Sequence, residues 1–96
     1  MSIDDFENIL YMMKNEVLQA EYKYSIDKKE RLYKYTVSAQ LVTGTYITLL
    51  NGRTHADFEQ YLANHILSDS FFVDNQGKFY VDKDKVCALC FNTTYN

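Results

Sequence analysis

Residues 21–35 read EYKYSIDKKERLYKY, four tyrosines among five basic side chains. Tyr22, Tyr24 and Ile26 alternate with Lys23, Ser25 and Asp27. Beyond Asp27-Lys28-Lys29-Glu30, Tyr33, Tyr35, Val37, Ala39 and Leu41 alternate with Lys34, Thr36, Ser38 and Gln40. A period of two is the signature of a strand with one wet and one dry face. The stretch therefore predicts a β-hairpin closed by a charged loop. Its tyrosines would pack inward with their hydroxyls at the wet edge, and its lysines would face solvent.

Upstream, Ser2 is placed as an N-cap, with Asp5 reaching back in a variant of the capping box. Ile3, Phe6, Leu10, Met13 and Val17 recur at steps of three and four, widened by Ile9 and Met12. This predicts an amphipathic helix to about Gln19. Downstream, Val42-Thr43-Gly44-Thr45 reads as a turn into a strand over 46–50. Asn51-Gly52 ends that strand with a dipeptide that accepts positive φ.

Thr54, followed by Asp57, starts a second helix over 55–67 with the stripe Phe58, Tyr61, Leu62 and Ile66. Ser68-Asp69-Ser70 breaks it. Phe71-Phe72-Val73, an Asp74-Asn75-Gln76-Gly77 turn and Lys78-Phe79-Tyr80-Val81 read as a second hairpin. Asp82-Lys83-Asp84-Lys85 is a charged loop, and Val86 to Phe91 a last strand. The order is α-β-β-β-α-β-β-β, an α+β chain with an antiparallel sheet of about five or six strands and two helices.

The 96 residues fit one domain, 1–96. With 47% hydrophobic and 16% aromatic side chains and no proline, the composition predicts a core rather than a disordered tail. The formal charge is −3, yet residues 23–34 carry a net +3 and the remainder −6. Such a balance predicts no strong non-specific pull toward nucleic acid or anionic lipid. The start, MSIDDFENIL, lacks the basic and apolar regions of a signal peptide, and no run approaches a membrane span. The expectation is a cytoplasmic chain with reduced thiols.

Cys87-Ala88-Leu89-Cys90 is the one recognisable chemical motif. A redox pair opens a helix after a strand, whereas this pair sits in an apolar strand, where residues three apart face opposite sides. A structural zinc needs four ligands, and no second cysteine pair exists. His55 and His65 lie at opposite ends of the second helix, roughly 15 Å apart. Both cysteines are expected to be buried and inert. Asp4/Asp5 and Asp82/Asp84 lack the ligand spacing of calcium loops. No phosphate-cradling glycine loop or nucleophile elbow is present. The chain is read as non-enzymatic, without cofactor or metal.

ITLLNG at 47–52 and KFYVDKDKV at 78–86 are similar to two strands of Sm-like RNA-binding barrels, which show an L-x-N-G strand end and a tyrosine–lysine turn into a last strand. There, however, the strand resumes directly after the glycine and the net charge is positive. This chain places a capped helix at that point and is acidic, so no membership is read from the similarity.

The expectation that remains is a small protein-binding module, an inhibitor or regulator that acts by occlusion. Motif-free proteins carried by phages and mobile elements to block a host enzyme, anti-CRISPR inhibitors among them, fit this description. Nine tyrosines suit an interface, and the charge asymmetry can steer a partner. The candidate partner-binding residues are the basic set Lys23, Lys28, Lys29, Arg31 and Lys34 and the acidic set Asp57, Glu59, Asp69, Asp74, Asp82 and Asp84. The acidic set is the one that could occupy a nucleic-acid groove on a target enzyme. The alternative is a nucleic-acid-binding domain that uses the basic tyrosine–lysine hairpin 21–35. The apolar last strand, at a sheet edge, could pair with a second copy in a homodimer.

Overall fold

The first helix does not stop near Gln19. In a computed structural model, which describes residues 1–28, 31–65, 71–74, 76–77 and 80–96, helix α1 runs Ile3–Asp27. Ser2 caps it as expected, its hydroxyl accepting the Asp5 N–H at 3.2 Å. Phe6, Leu10, Met13 and Val17 are buried. The half-buried Ala20 and Tyr24 continue that stripe at three and seven residues beyond Val17.

Residues 3–27 contain neither glycine nor proline. A helix with nothing to stop it propagates, because each added residue adds one hydrogen bond. The strand expected over 22–26 is therefore the last two turns of α1, and the hairpin over 21–35 does not form. The helix stops at Lys28, which takes the left-handed φ of 55°. Its N–H returns to the Tyr24 carbonyl at 2.9 Å.

The main sheet has three antiparallel strands where five or six were expected. Strand β1 (Leu32–Leu41) lies between β2 (Tyr46–Gly52) and β5 (Val86–Tyr95). Two bulges explain why inward residues depart from strict alternation. Against β5, Leu32 pairs with Tyr95 and Lys34 with Thr94, which leaves Tyr33 as the extra residue. Leu32 and Tyr35 can then both face the core while Tyr33 turns outward. Against β2, Val37 pairs with Leu50 and Ser38 with Thr48, so Leu49 is extra. Leu49 and Leu50 are accordingly both buried.

Helix α2 (His55–His65) carries the capping box expected at its start. Thr54 Oγ1 accepts the Asp57 N–H at 3.2 Å, and Asp57 Oδ2 accepts the Thr54 N–H at 3.0 Å. Residues 66–70, with the expected helix break, lie outside the described residues. The two helices run antiparallel, since the His55 N–H donates to Glu21 and Lys14 pairs with Glu59 one turn further along α2.

Strands β3 (Phe71–Val73) and β4 (Tyr80–Asp82) pair as the expected second hairpin, but as a separate two-stranded ribbon. The ribbon joins the core where Phe72 stacks on Phe6, ring centroids 5.0 Å apart. A 3-10 turn, Lys83–Lys85, leads into β5. The element order is therefore α-β-β-α-β-β-β, one strand fewer than expected.

Candidate interaction surface

Because α1 continues to Asp27, it carries two apolar stripes rather than one. Tyr11, Leu18 and Tyr22 lie within about 40° of one another around the helix, and Ile26 falls just beside them. This second stripe stands about 150° from the buried one, and all four side chains are exposed, Tyr22 by 63% and Ile26 by 66%. Asn8, Asn15 and Ser25 complete the same face, so no charge interrupts it between 8 and 26. The charged residues of that stretch flank it. Of these, Lys14 and Glu21 are turned to α2 through Glu59 and the His55 N–H.

At the C-terminal end of α1 the basic residues gather. Lys23, Lys28, Arg31 and Lys34 are exposed there, and Arg53, at the end of β2, joins them. The Arg31 guanidinium sits 5.7 Å from the Tyr24 ring centroid and that of Arg53 5.0 Å from Tyr33. None of the five forms an ion pair among the described residues. Lys29 lies outside the described residues.

Of the four tyrosines in the opening stretch, only Tyr35 turns fully inward, at 1% exposure; Tyr22 and Tyr33, the latter at 41%, stand in the open. The inward packing expected of them fails for two reasons. The helical period moves Tyr22 to the outer face, and the bulge at Tyr33 reverses its side of the sheet.

Tyr35 anchors this end of the molecule. Its hydroxyl donates to the Thr54 carbonyl at 2.7 Å, and its ring stacks on Phe58 and meets Phe91 edge-on. Burial, with the nearby Asp57 and Glu21 charges, pushes its phenol well above the ordinary tyrosine value. Gly52 lies directly against it: a Cβ there would be 2.5 Å from Tyr35 Oη. Gly52 is thus needed for close approach, and not for the positive φ that the Asn51-Gly52 pair suggested, since its φ is not positive.

Beside this anchor a cleft of about 650 Å³ opens along Leu49, Leu50, Asn51, Gly52 and Arg53. Asp57, Gln60 and Tyr61 of α2 line it on one side, and Lys34, Tyr35 and Thr36 of β1 on the other.

The acidic candidates are scattered over the structure. Asp57 Oδ2 accepts the N–H groups of Arg53 and Thr54, which hold its carboxyl below the usual aspartate range. Glu59 faces Lys14 at 3.4 Å and His55 at 3.6 Å. Asp74 is buried beside Tyr61, whose phenol is raised by burial and by that charge. Asp82 caps the 3-10 turn by accepting the Asp84 N–H at 3.0 Å, and Asp84 is exposed. Asp69 lies outside the described residues.

Cys87 is exposed, contrary to the expectation of a buried thiol, and its Sγ lies 3.4 Å from the Gln40 carbonyl beside the irregularity at the end of β1. Cys90 is half-buried and pairs in register with Ser38. Among the described residues no three metal-ligating side chains gather, and no helix is long and apolar enough to cross a membrane. Sequence reasoning also missed Lys83, a buried lysine whose ammonium lies 5.1 Å from the Phe6 ring centroid. Comparison with protein-family models, with curated proteins and with solved structures gave no match.

Proposed function

We propose that the chain is a non-enzymatic protein-binding module that presents the outer stripe of α1 to a partner. The observation that carries this reading is the second apolar face of that helix, Tyr11, Leu18, Tyr22 and Ile26. Together they expose on the order of 400 Å² of side-chain surface, the size at which a patch on a monomer is often functional. Tyrosine adds area and a hydroxyl with few rotors to freeze.

The matching partner has an apolar groove in which a long helix can lie. Asp4 and Glu7 precede the stripe, Lys23 flanks its last turn and Lys28 follows it. The groove is therefore acidic-rimmed at the end that meets the two lysines. Occlusion of a target's working surface, as by inhibitors that phages and mobile elements carry, asks nothing more of the chain than this rigid face.

The test is affinity capture from the source cell with the wild-type chain and with Leu18→Glu. An exposed substitution of this kind changes stability by less than about 0.5 kcal/mol, and it should release the partner at least tenfold. A partner held equally by both proteins would refute the stripe, as would a chain that captures no protein in stoichiometric amount. A self-association abolished by Leu18→Glu would make the partner a second copy.

A second reading is supported by the Tyr24–Arg31 and Tyr33–Arg53 pairs, which place exposed or half-exposed rings beside cations that form no ion pair among the described residues. Such a platform suits single-stranded nucleic acid. It requires binding of a labelled oligothymidylate whose affinity falls with salt at a log–log slope of about −3.5 if five cations take part. No binding at low salt disposes of it.

A further inference from the structure

We infer that the cleft between β2 and α2 takes an extended, acidic chain segment by strand addition. Strand β2 forms one edge of the three-stranded sheet, so one side of its backbone has no strand partner among the described residues. In an antiparallel sheet, alternate residues of an edge strand turn their N–H and C=O groups away from the neighbour they pair with. Edges are ordinarily guarded by charge or proline. The seven residues of β2, YITLLNG, contain neither.

What singles out this edge is a cleft beside its last four residues, 49–52, which they share with α2 and with Lys34, Tyr35 and Thr36 of β1. Its volume of about 650 Å³ lies within the range of sites that hold a ligand. Residues 49–53 supply the floor, while Asp57, Gln60 and Tyr61, spaced three and four apart, present one face of α2 as a wall. A guest strand laid on β2 therefore lies between a strand and a helix. Its main chain bonds the edge, and every second side chain enters the cleft. The other edge strand, β5, is equally free of charge over VCALCFNTTY, but it contributes no residue to this cleft.

The chemistry of the guest follows from the charges in the cleft. Lys34 and Arg53 form no ion pair among the described residues, and Arg53 is positioned by its contact with Tyr33. Asp57 is the one carboxylate in the lining; its Oδ2 is engaged by two backbone N–H groups, and with Lys34 and Arg53 it leaves the lining a net charge of +1. Four N–H groups at the start of α2 are already engaged. Those of Arg53 and Thr54 go to Asp57, that of His55 to Glu21 and that of Asp57 to Thr54. The two cationic side chains are thus the anion-reading elements, and the guest carries carboxylates where it passes Gly52. Gln60 and Asn51, both exposed, add neutral polar groups to the lining, although Asn51 Oδ1 already accepts from the Thr36 hydroxyl. This site is separate from the α1 stripe and does not depend on it.

The experiment selects a random octapeptide display library on the immobilised full chain. The expected winners alternate β-branched or aromatic residues with Asp or Glu. A synthetic winner should shift the amide resonances of residues 48–53 and 57–61 and slow amide exchange along β2. Lys34→Gln and Arg53→Gln, both exposed and checked for unchanged circular dichroism, should each weaken it at least fivefold, while Lys23→Gln leaves it unchanged. Enrichment of no peptide, or of basic or wholly apolar ones, would overturn the proposal. Resonance shifts confined to another face, or affinity untouched by the two cleft substitutions, would do the same. Oligothymidylate that shifts the same amides and displaces the peptide would assign the cleft to nucleic acid instead.

Discussion

Substituting Gly52 by alanine tests the packing on which this end of the molecule rests. The added Cβ would meet Tyr35 Oη at 2.5 Å, Cζ at 2.6 Å and Cε2 at 3.1 Å, against an ordinary contact of about 3.5–4.0 Å. The ring must therefore retreat by about 1 Å. It is fully buried between Phe58 and Phe91, and its hydroxyl is tied to the Thr54 carbonyl.

Overpacking of this kind costs about 1–3 kcal/mol, and loss of the hydrogen bond about 1 kcal/mol more. Against this, alanine removes unfolded-state freedom worth about 0.4–1 kcal/mol, because the φ of Gly52 is one an alanine can adopt. The net loss is about 2–3 kcal/mol. For 96 residues the unfolding entropy is about 0.2 kcal/mol/K, so the melting temperature should fall by roughly 10–15 °C.

Urea and thermal unfolding followed by circular dichroism measure both quantities. The decisive comparison is the same substitution in a Tyr35→Leu background, where the obstructing atoms are gone and the added cost should shrink below about 1 kcal/mol. A Gly52→Ala protein within about 0.5 kcal/mol of wild type, or an equal cost in both backgrounds, would refute the reasoning.

Tyr35→Phe keeps the ring and removes only the bond to Thr54, so it should cost about 1 kcal/mol in urea unfolding. Asp57→Asn keeps the shape of the α2 cap but not its charge, and should cost about 0.5–1 kcal/mol at neutral pH. Since folding lowers the pKa of Asp57, its contribution is complete above the ordinary aspartate value and is lost as pH falls through the lowered one. Stability of the wild type should therefore decline below about pH 4 more steeply than that of Asp57→Asn, as paired acid titrations of unfolding would show. With a thiol reagent under native conditions, Cys87 should react promptly and the half-buried Cys90 more slowly, a difference read by mass spectrometry of partly labelled protein.

Both helix starts were legible because a cap is a local device: Ser2 with Asp5 and Thr54 with Asp57 use hydrogen bonds that span three residues. The end of α1 was not. Its stop is a lysine in the left-handed region, where glycine is the usual signal, and the alternation of Tyr22, Tyr24 and Ile26 also fits two helix faces. The bulges at Tyr33 and Leu49 depend on how distant strands meet, and a period-two count cannot register an extra residue.

For the same reason the site was only half visible. Lys23, Lys28, Arg31 and Lys34 stood together in the sequence, but Arg53 joins them only because β2 returns alongside β1. The outer stripe of α1 could not be seen while its second half was read as a strand. Its signal, apolar residues at 11, 18, 22 and 26, was present throughout.

The central place of β1 also bears on the order in which the chain acquires its form. One neighbour, β2, follows β1 after a short turn, whereas the other, β5, begins only at Val86. During synthesis β1 therefore emerges with one flank open, and both helices can assemble long before that flank is closed. Closing it joins segments some fifty residues apart, a step that loop entropy makes slow. Until then one edge of β1 and its inward face are open to other nascent chains, which makes the interval before Val86 appears a vulnerable one for misassembly.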